Sequence, residues 1–104
     1  MTVRLHPHAR ERLSERGATE EEVRRTVESG EQFPAKFGRS GFRKSFRFES
    51  TWQGRFYDAK EVEAIAVRER EDWLVVTVVT RYHLDHWRVR EVRQNYEAYL
   101  RSKT

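Results

Sequence analysis

Eight consecutive residues, Trp73-Leu74-Val75-Val76-Thr77-Val78-Val79-Thr80, carry no charge, no glycine and no proline. Six of them branch at Cβ, which stiffens χ1 and suits a pleated surface better than a helix. A run that is apolar on both parities is the pattern of a central strand covered on both faces. A chain built around such a strand needs partner strands beside it and other layers over it.

The flanking pattern supplies partner strands. Glu71-Asp72 reads as a turn, and 62–70 reads as a strand with Ile65 and Val67 inside. Arg55 to Asp58 forms a further short strand after a loop at Gln53-Gly54. Upstream, Phe42, Lys44, Phe46 and Phe48 share one parity, while Arg43, Ser45 and Arg47 take the other. Phe33 and Phe37 flank Pro34, which marks an edge strand or an irregular entry, and Gly38-Arg39-Ser40-Gly41 reads as a turn.

The N-terminal third has helical spacing. Pro7 is placed for a first helical position, Leu5, Ala9 and Leu13 recur every four residues, and Gly17 is a natural stop. Thr19 and Glu22 form a capping box, with Ala18 and Val23 as its hydrophobic staple. Val23 and Val27 then give one buried stripe, and Gly30 ends the second helix. After the valine run, Val89, Val92, Tyr96 and Tyr99 follow helical spacing, although Trp87 and Val89 also alternate like a strand. The expected architecture is one α+β domain over 1–104. An N-terminal αα-hairpin packs on an antiparallel sheet of about four strands, and a C-terminal helix closes it over about 85–101.

Composition narrows the class. A chain of 104 residues can bury roughly two-thirds of its unfolded surface, enough for one core. The absence of cysteine excludes a disulfide framework and thiolate zinc sites. No apolar run approaches the roughly 18 residues of a membrane span, and residues 1–12 lack the apolar stretch of a signal peptide. A soluble protein of the cytoplasm, without a membrane partner, is expected.

Arginine outnumbers lysine 17 to 4. Surface ion pairs account for such an excess, and so does phosphate recognition, because the guanidinium fork matches phosphate oxygens. Residues 36–60 hold seven basic and two acidic residues, whereas 61–80 hold two basic and five acidic. Five of the basic residues of the first of these segments, Arg39, Arg43, Lys44, Arg47 and Arg55, are interleaved with Phe42, Phe46, Phe48, Trp52, Phe56 and Tyr57. Cations interleaved with aromatics suit single-stranded nucleic acid. The same phenylalanines also serve as one core face of a strand, which leaves Arg43 and Arg47 on the opposite face.

Histidines fall in two pairs, His6-x-His8 and His83-x-x-His86. Four imidazoles can hold a transition metal, but neither spacing is a metal signature by itself, and no metal or cofactor is assigned. The exit of the valine run, Thr80-Arg81-Tyr82-His83, combines a cation, a phenol and an imidazole. This set suits phosphodiester chemistry, since arginine stabilises developing negative charge and histidine moves protons near neutral pH. The plainer account is a strand that ends and turns polar.

Several of these motifs occur together in a known family. His8-x-x-x-Arg12-x-x-x-Arg16-Gly17, Thr19-Glu20-Glu21-Glu22-Val23, Gly30-Glu31 and Val75-Val76-Thr77-Val78-Val79-Thr80-Arg81-Tyr82 resemble the domain of unknown function 4258. That family is similar to compact toxins of the RelE/ParE type and to metal-independent ribonucleases. The resemblance implies helices against an antiparallel sheet, and it singles out His8, Arg12, Thr80 and Tyr82.

Three functions follow as expectations. The first is a metal-independent, toxin-type ribonuclease with His8, Arg12, Arg81, Tyr82 and His83 as catalytic residues. The second is an RNA- or ribosome-binding module using Arg39, Arg43, Lys44, Arg47 and Arg55. The third is a protein-interaction domain held by an antitoxin-like partner. An enzyme is thus one of three outcomes.

Overall fold

The computed structural model describes residues 1–84. Strand β1 (Val3–Leu5) leads into two short helices, α1 (Pro7–Glu11) and α2 (Leu13–Arg16), and then α3 (Glu20–Ser29). Four strands follow: β2 (Glu31–Pro34), β3 (Ser40–Trp52), β4 (Arg55–Glu69) and β5 (Asp72–His83). A 3-10 turn at Lys36–Gly38 joins β2 to β3. The sheet order is β1-β5-β4-β3-β2.

This arrangement corrects the expected architecture in three respects. The sheet has five strands and is mixed, because β1 pairs parallel to β5 through Val3–Trp73, Arg4–Leu74 and Leu5–Val75. Three residues are too few to show a period, and they lie inside a stretch whose spacing reads as helix. Second, the first helix of the expected hairpin is broken at Arg12, which caps α1 and starts α2. Third, the centre of the sheet is β4, with β3 and β5 antiparallel on either side. The valine run is β5, and β1 flanks only its first part. The expected C-terminal helix lies outside the described residues.

Local chemistry explains the elements that were legible. His6 caps α1 by accepting from the His8 amide, and Pro7 occupies the first turn. Thr19 and Glu22 exchange both hydrogen bonds of the capping box, at 3.1 and 3.0 Å. Gly17 ends α2 in the left-handed region at φ 71°. A Cβ there would also collide with the Tyr82 hydroxyl and the Trp52 ring, so glycine is required both for its backbone and for the close approach.

The core lies between the helices and one face of the sheet. Ala9, Leu13, Ala18, Val23 and Val27 meet Phe42, Val62, Ala64, Ala66, Trp73, Val75 and Val78. One bulge decides which β5 residues take part. The β4–β5 register passes from Ile65–Thr77 to Ala66–Val75, so Val76 has no opposite number. An extra residue inverts the parity of everything beyond it. Trp73 and Val75 face the helices before the bulge, and Val78, Thr80 and Tyr82 do so after it. Without the bulge, Thr80 and Tyr82 would face the other way.

Candidate functional site

The bulge brings the polar end of β5 under the end of α2. The Arg16 carbonyl accepts from Thr80 Oγ1 at 2.6 Å and from Tyr82 Oη at 2.9 Å. Lys60 Nζ donates to the Gly17 carbonyl and to Glu22 Oε1, both at 2.8 Å. The last carbonyls of a helix have no partner within it, and here three side chains of the sheet supply the donors. The Tyr82 ring stacks on Trp52, with centroids 5.3 Å apart, and meets Phe48 and Tyr57 at its sides. Burial in this cluster raises the Tyr82 pKa above its usual value, with the Glu22 charge adding to that and the Thr80 hydroxyl opposing it. The phenol therefore stays protonated and remains a donor at physiological pH.

Lys60 is the buried centre of this latch, with its side chain 5% exposed against 20% for Glu22. Replacing it with methionine leaves a carboxylate and a carbonyl without their shared donor. We expect Lys60→Met to cost about 2–3 kcal/mol, below the usual range for a broken buried pair because Glu22 keeps some contact with water. Urea denaturation measures this, and Glu22→Gln combined with Lys60→Met should cost less than the two single changes added together.

Beside the latch, between α1–α2 and β5, is a cleft of about 180 Å³. His8, Arg12 and Arg16 line one wall, spaced by four residues, and Val76, Thr77 and Val78 line the other. No carboxylate is among its described lining residues. Arg10, one position away on α1, is instead paired with Glu20. The Arg16 Nε is buried with no hydrogen-bond partner among the described residues, a donor for which an anionic oxygen is the natural acceptor. His6 stacks parallel to His8, with ring centroids 5.4 Å apart.

The residues named from sequence thus separate. His8 and Arg12 share the cleft, and Tyr82 lies one latch away, bonded to the backbone of Arg16. Arg81 and His83 have the opposite parity on β5. Arg81 bridges Glu61 and Glu63 at 3.3 and 3.5 Å on the side of the sheet away from the helices. Among the described residues no three metal-ligating side chains converge, and His86 lies outside them.

The five basic residues proposed from sequence as nucleic-acid contacts do not gather on one surface. Lys44 has the parity of Phe42 and Phe46 and pairs with Val62 on the helix side. Arg43 and Arg47 occupy the other side, as the alternation predicts. The Arg43 guanidinium carbon lies over the Phe33 ring, 4.2 Å from its centroid, and Arg47 is 3.8 Å from Glu49. Arg55 lies over Tyr57, and Arg39 over Phe37. The positive excess of β3 is offset across the register, where Arg43 faces Glu63 and Ser45 faces Glu61.

Two residues of the site were not singled out by sequence. Arg16 was quotable as the third member of the His8-Arg12-Arg16 spacing. Lys60 was detectable as a cation on the inward parity of a strand, two residues from Val62.

No described helix is long and apolar enough to cross a membrane. Residues 5–80 match the family described as Domain of unknown function (DUF4258). No curated protein and no solved structure matches the chain. The matched span contains His8, Arg12, Arg16, Lys60 and Thr80, and ends before Arg81.

Proposed function

We propose, for a chain that belongs to the DUF4258 family, that it binds RNA by taking the phosphodiester backbone into the cleft between α1–α2 and β5. The observation that carries this reading is the wall formed by His8, Arg12 and Arg16, with no acidic residue lining the cleft and no acceptor for the buried Arg16 Nε among the described residues. Two guanidinium groups on successive turns can contact one or two phosphates, and such contacts supply most sequence-independent affinity.

The test is binding of a labelled oligoribonucleotide by fluorescence anisotropy across a salt series. Arg12→Ala with Arg16→Ala should make the log–log salt slope shallower by about 0.7 for each lost phosphate contact on a single strand. An unchanged slope, or no binding by the parent at low ionic strength, would remove this reading.

A second reading is favoured by the position of His8 beside both arginines. In it the cleft also cuts RNA without a metal, as a toxin-type ribonuclease of RelE/ParE kinship would. The 2′-hydroxyl gives its proton to a base and bonds to phosphorus, the bond to the 5′-oxygen breaks, and that oxygen takes a proton from an acid. His8 fits one of the proton-transfer roles, and the stacked His6 ring is the nearest candidate for the other. Arg12 and Arg16 would hold the extra negative charge on the phosphorane. An antitoxin-like protein is the partner this reading implies.

A further inference from the structure

The turn between β2 and β3 carries the most exposed large apolar side chain among the described residues. Phe37 is 87% exposed, and its backbone sits in the left-handed region at φ 62°, ψ 35°. That conformation is costly for a residue with a Cβ and is ordinarily left to glycine or asparagine. An aromatic ring held out into solvent by a strained backbone is not part of the core formed by the described residues. Strain of this kind concentrates where a chain meets its ligands.

The surroundings of Phe37 specify a ligand. Lys36 and Arg39 flank it, and the Arg39 guanidinium lies 5.7 Å from the ring centroid. The turn borders a groove of about 400 Å³ that crosses the far side of the sheet past Ile65 and ends at Thr77. Thr77 also lines the cleft that holds His8, Arg12 and Arg16. The two depressions are therefore neighbours across the edge of β5. That edge has no strand partner beyond Val75 among the described residues, because β1 pairs only with 73–75. A single strand of nucleic acid can pass from one depression to the other by crossing one strand's width.

Resting on the reading of the cleft as a phosphate site, we propose that Phe37 stacks on an unpaired base of the same RNA strand, with Lys36 and Arg39 beside the adjoining phosphates. The protein then selects single-stranded over duplex RNA. A base inside a duplex is already stacked on both faces and offers nothing to the ring, whereas every unpaired base has a face to give.

The experiment uses the full chain with a fluorescein-labelled single-stranded oligoribonucleotide and a duplex containing the same sequence. Phe37→Ala should weaken single-strand binding roughly 5- to 150-fold, the usual range for one lost base–aromatic stack, and leave duplex binding unchanged. Phe37→Trp should retain the parental preference, and Phe37→Leu should be as weak as Phe37→Ala. Equal losses on both RNAs, no loss, or full binding by Phe37→Leu would overturn the inference, the last pointing to a generic apolar contact such as a protein partner. Loss of binding in the Arg12, Arg16 double variant without an effect of Phe37→Ala overturns the stacking alone. A parent that binds no RNA overturns the cleft reading and the stacking together.

Discussion

Val75→Asp leaves the domain unfolded at room temperature. Val75 is fully buried, on β5 between β1 and β4, and belongs to the same cluster as Leu13, Val23 and Val27. A carboxylate at that position has no cation within the cluster, so it must be buried unpaired or carry its burial as a raised pKa. Either outcome, added to the lost valine packing, costs on the order of 5 kcal/mol or more, the whole stability of a small domain at the low end of the usual range. Circular dichroism of the purified variant should show loss of the cooperative thermal transition. Val76→Asp is the control. Val76 is the bulged residue at the border of the cleft and only partly buried, so this variant should remain folded. If Val75→Asp melts like the parent, the sheet register described here is wrong.

His8→Ala has the largest expected effect on chemistry. Under the ribonuclease reading, loss of a positioned acid or base lowers cleavage by about 10²- to 10⁴-fold. The parent should cut RNA in the presence of a chelator and leave a 2′,3′-cyclic phosphate end. Equal cleavage by parent and variant would place the activity elsewhere or in a contaminant. No cleavage by the parent, on free RNA and with translating ribosomes, would leave RNA binding as the function and withdraw the enzyme.

What could be read in advance depended on whether the relevant physics was local. The Thr19–Glu22 capping box, the Gly17 stop and the alternation of Phe42 to Phe48 need only neighbouring residues, and each is visible as a pattern. The parity of Thr80 and Tyr82 is not local. It is set by one bulged residue, Val76, within a run of uncharged and mostly β-branched residues, so no clear periodicity marks the point of inversion. Arg81 and His83 were grouped with Tyr82 because they adjoin it in sequence, yet adjacent residues of a strand point to opposite faces. The parallel pairing of β1 joins residues some seventy positions apart, and nothing in Val3-Arg4-Leu5 announces it. Segment charge had a similar limit. The basic excess of 36–60 and the acidic excess of 61–80 are separate in sequence but lie side by side in β3 and β4, where they offset each other. The cleft instead takes its cations from the N-terminal segment, which is nearly neutral by count.

The most direct measurement of the central claim is an NMR titration of the isotope-labelled chain with a short single-stranded oligoribonucleotide, following the arginine Nε–H groups and the histidine imidazoles. The account predicts that Arg12, Arg16 and His8 shift together in a saturable way, while Arg43, Arg47 and Arg55 stay in place. Shifts confined to Arg43, Arg47 and Arg55, or no shift at any of the six, would contradict it.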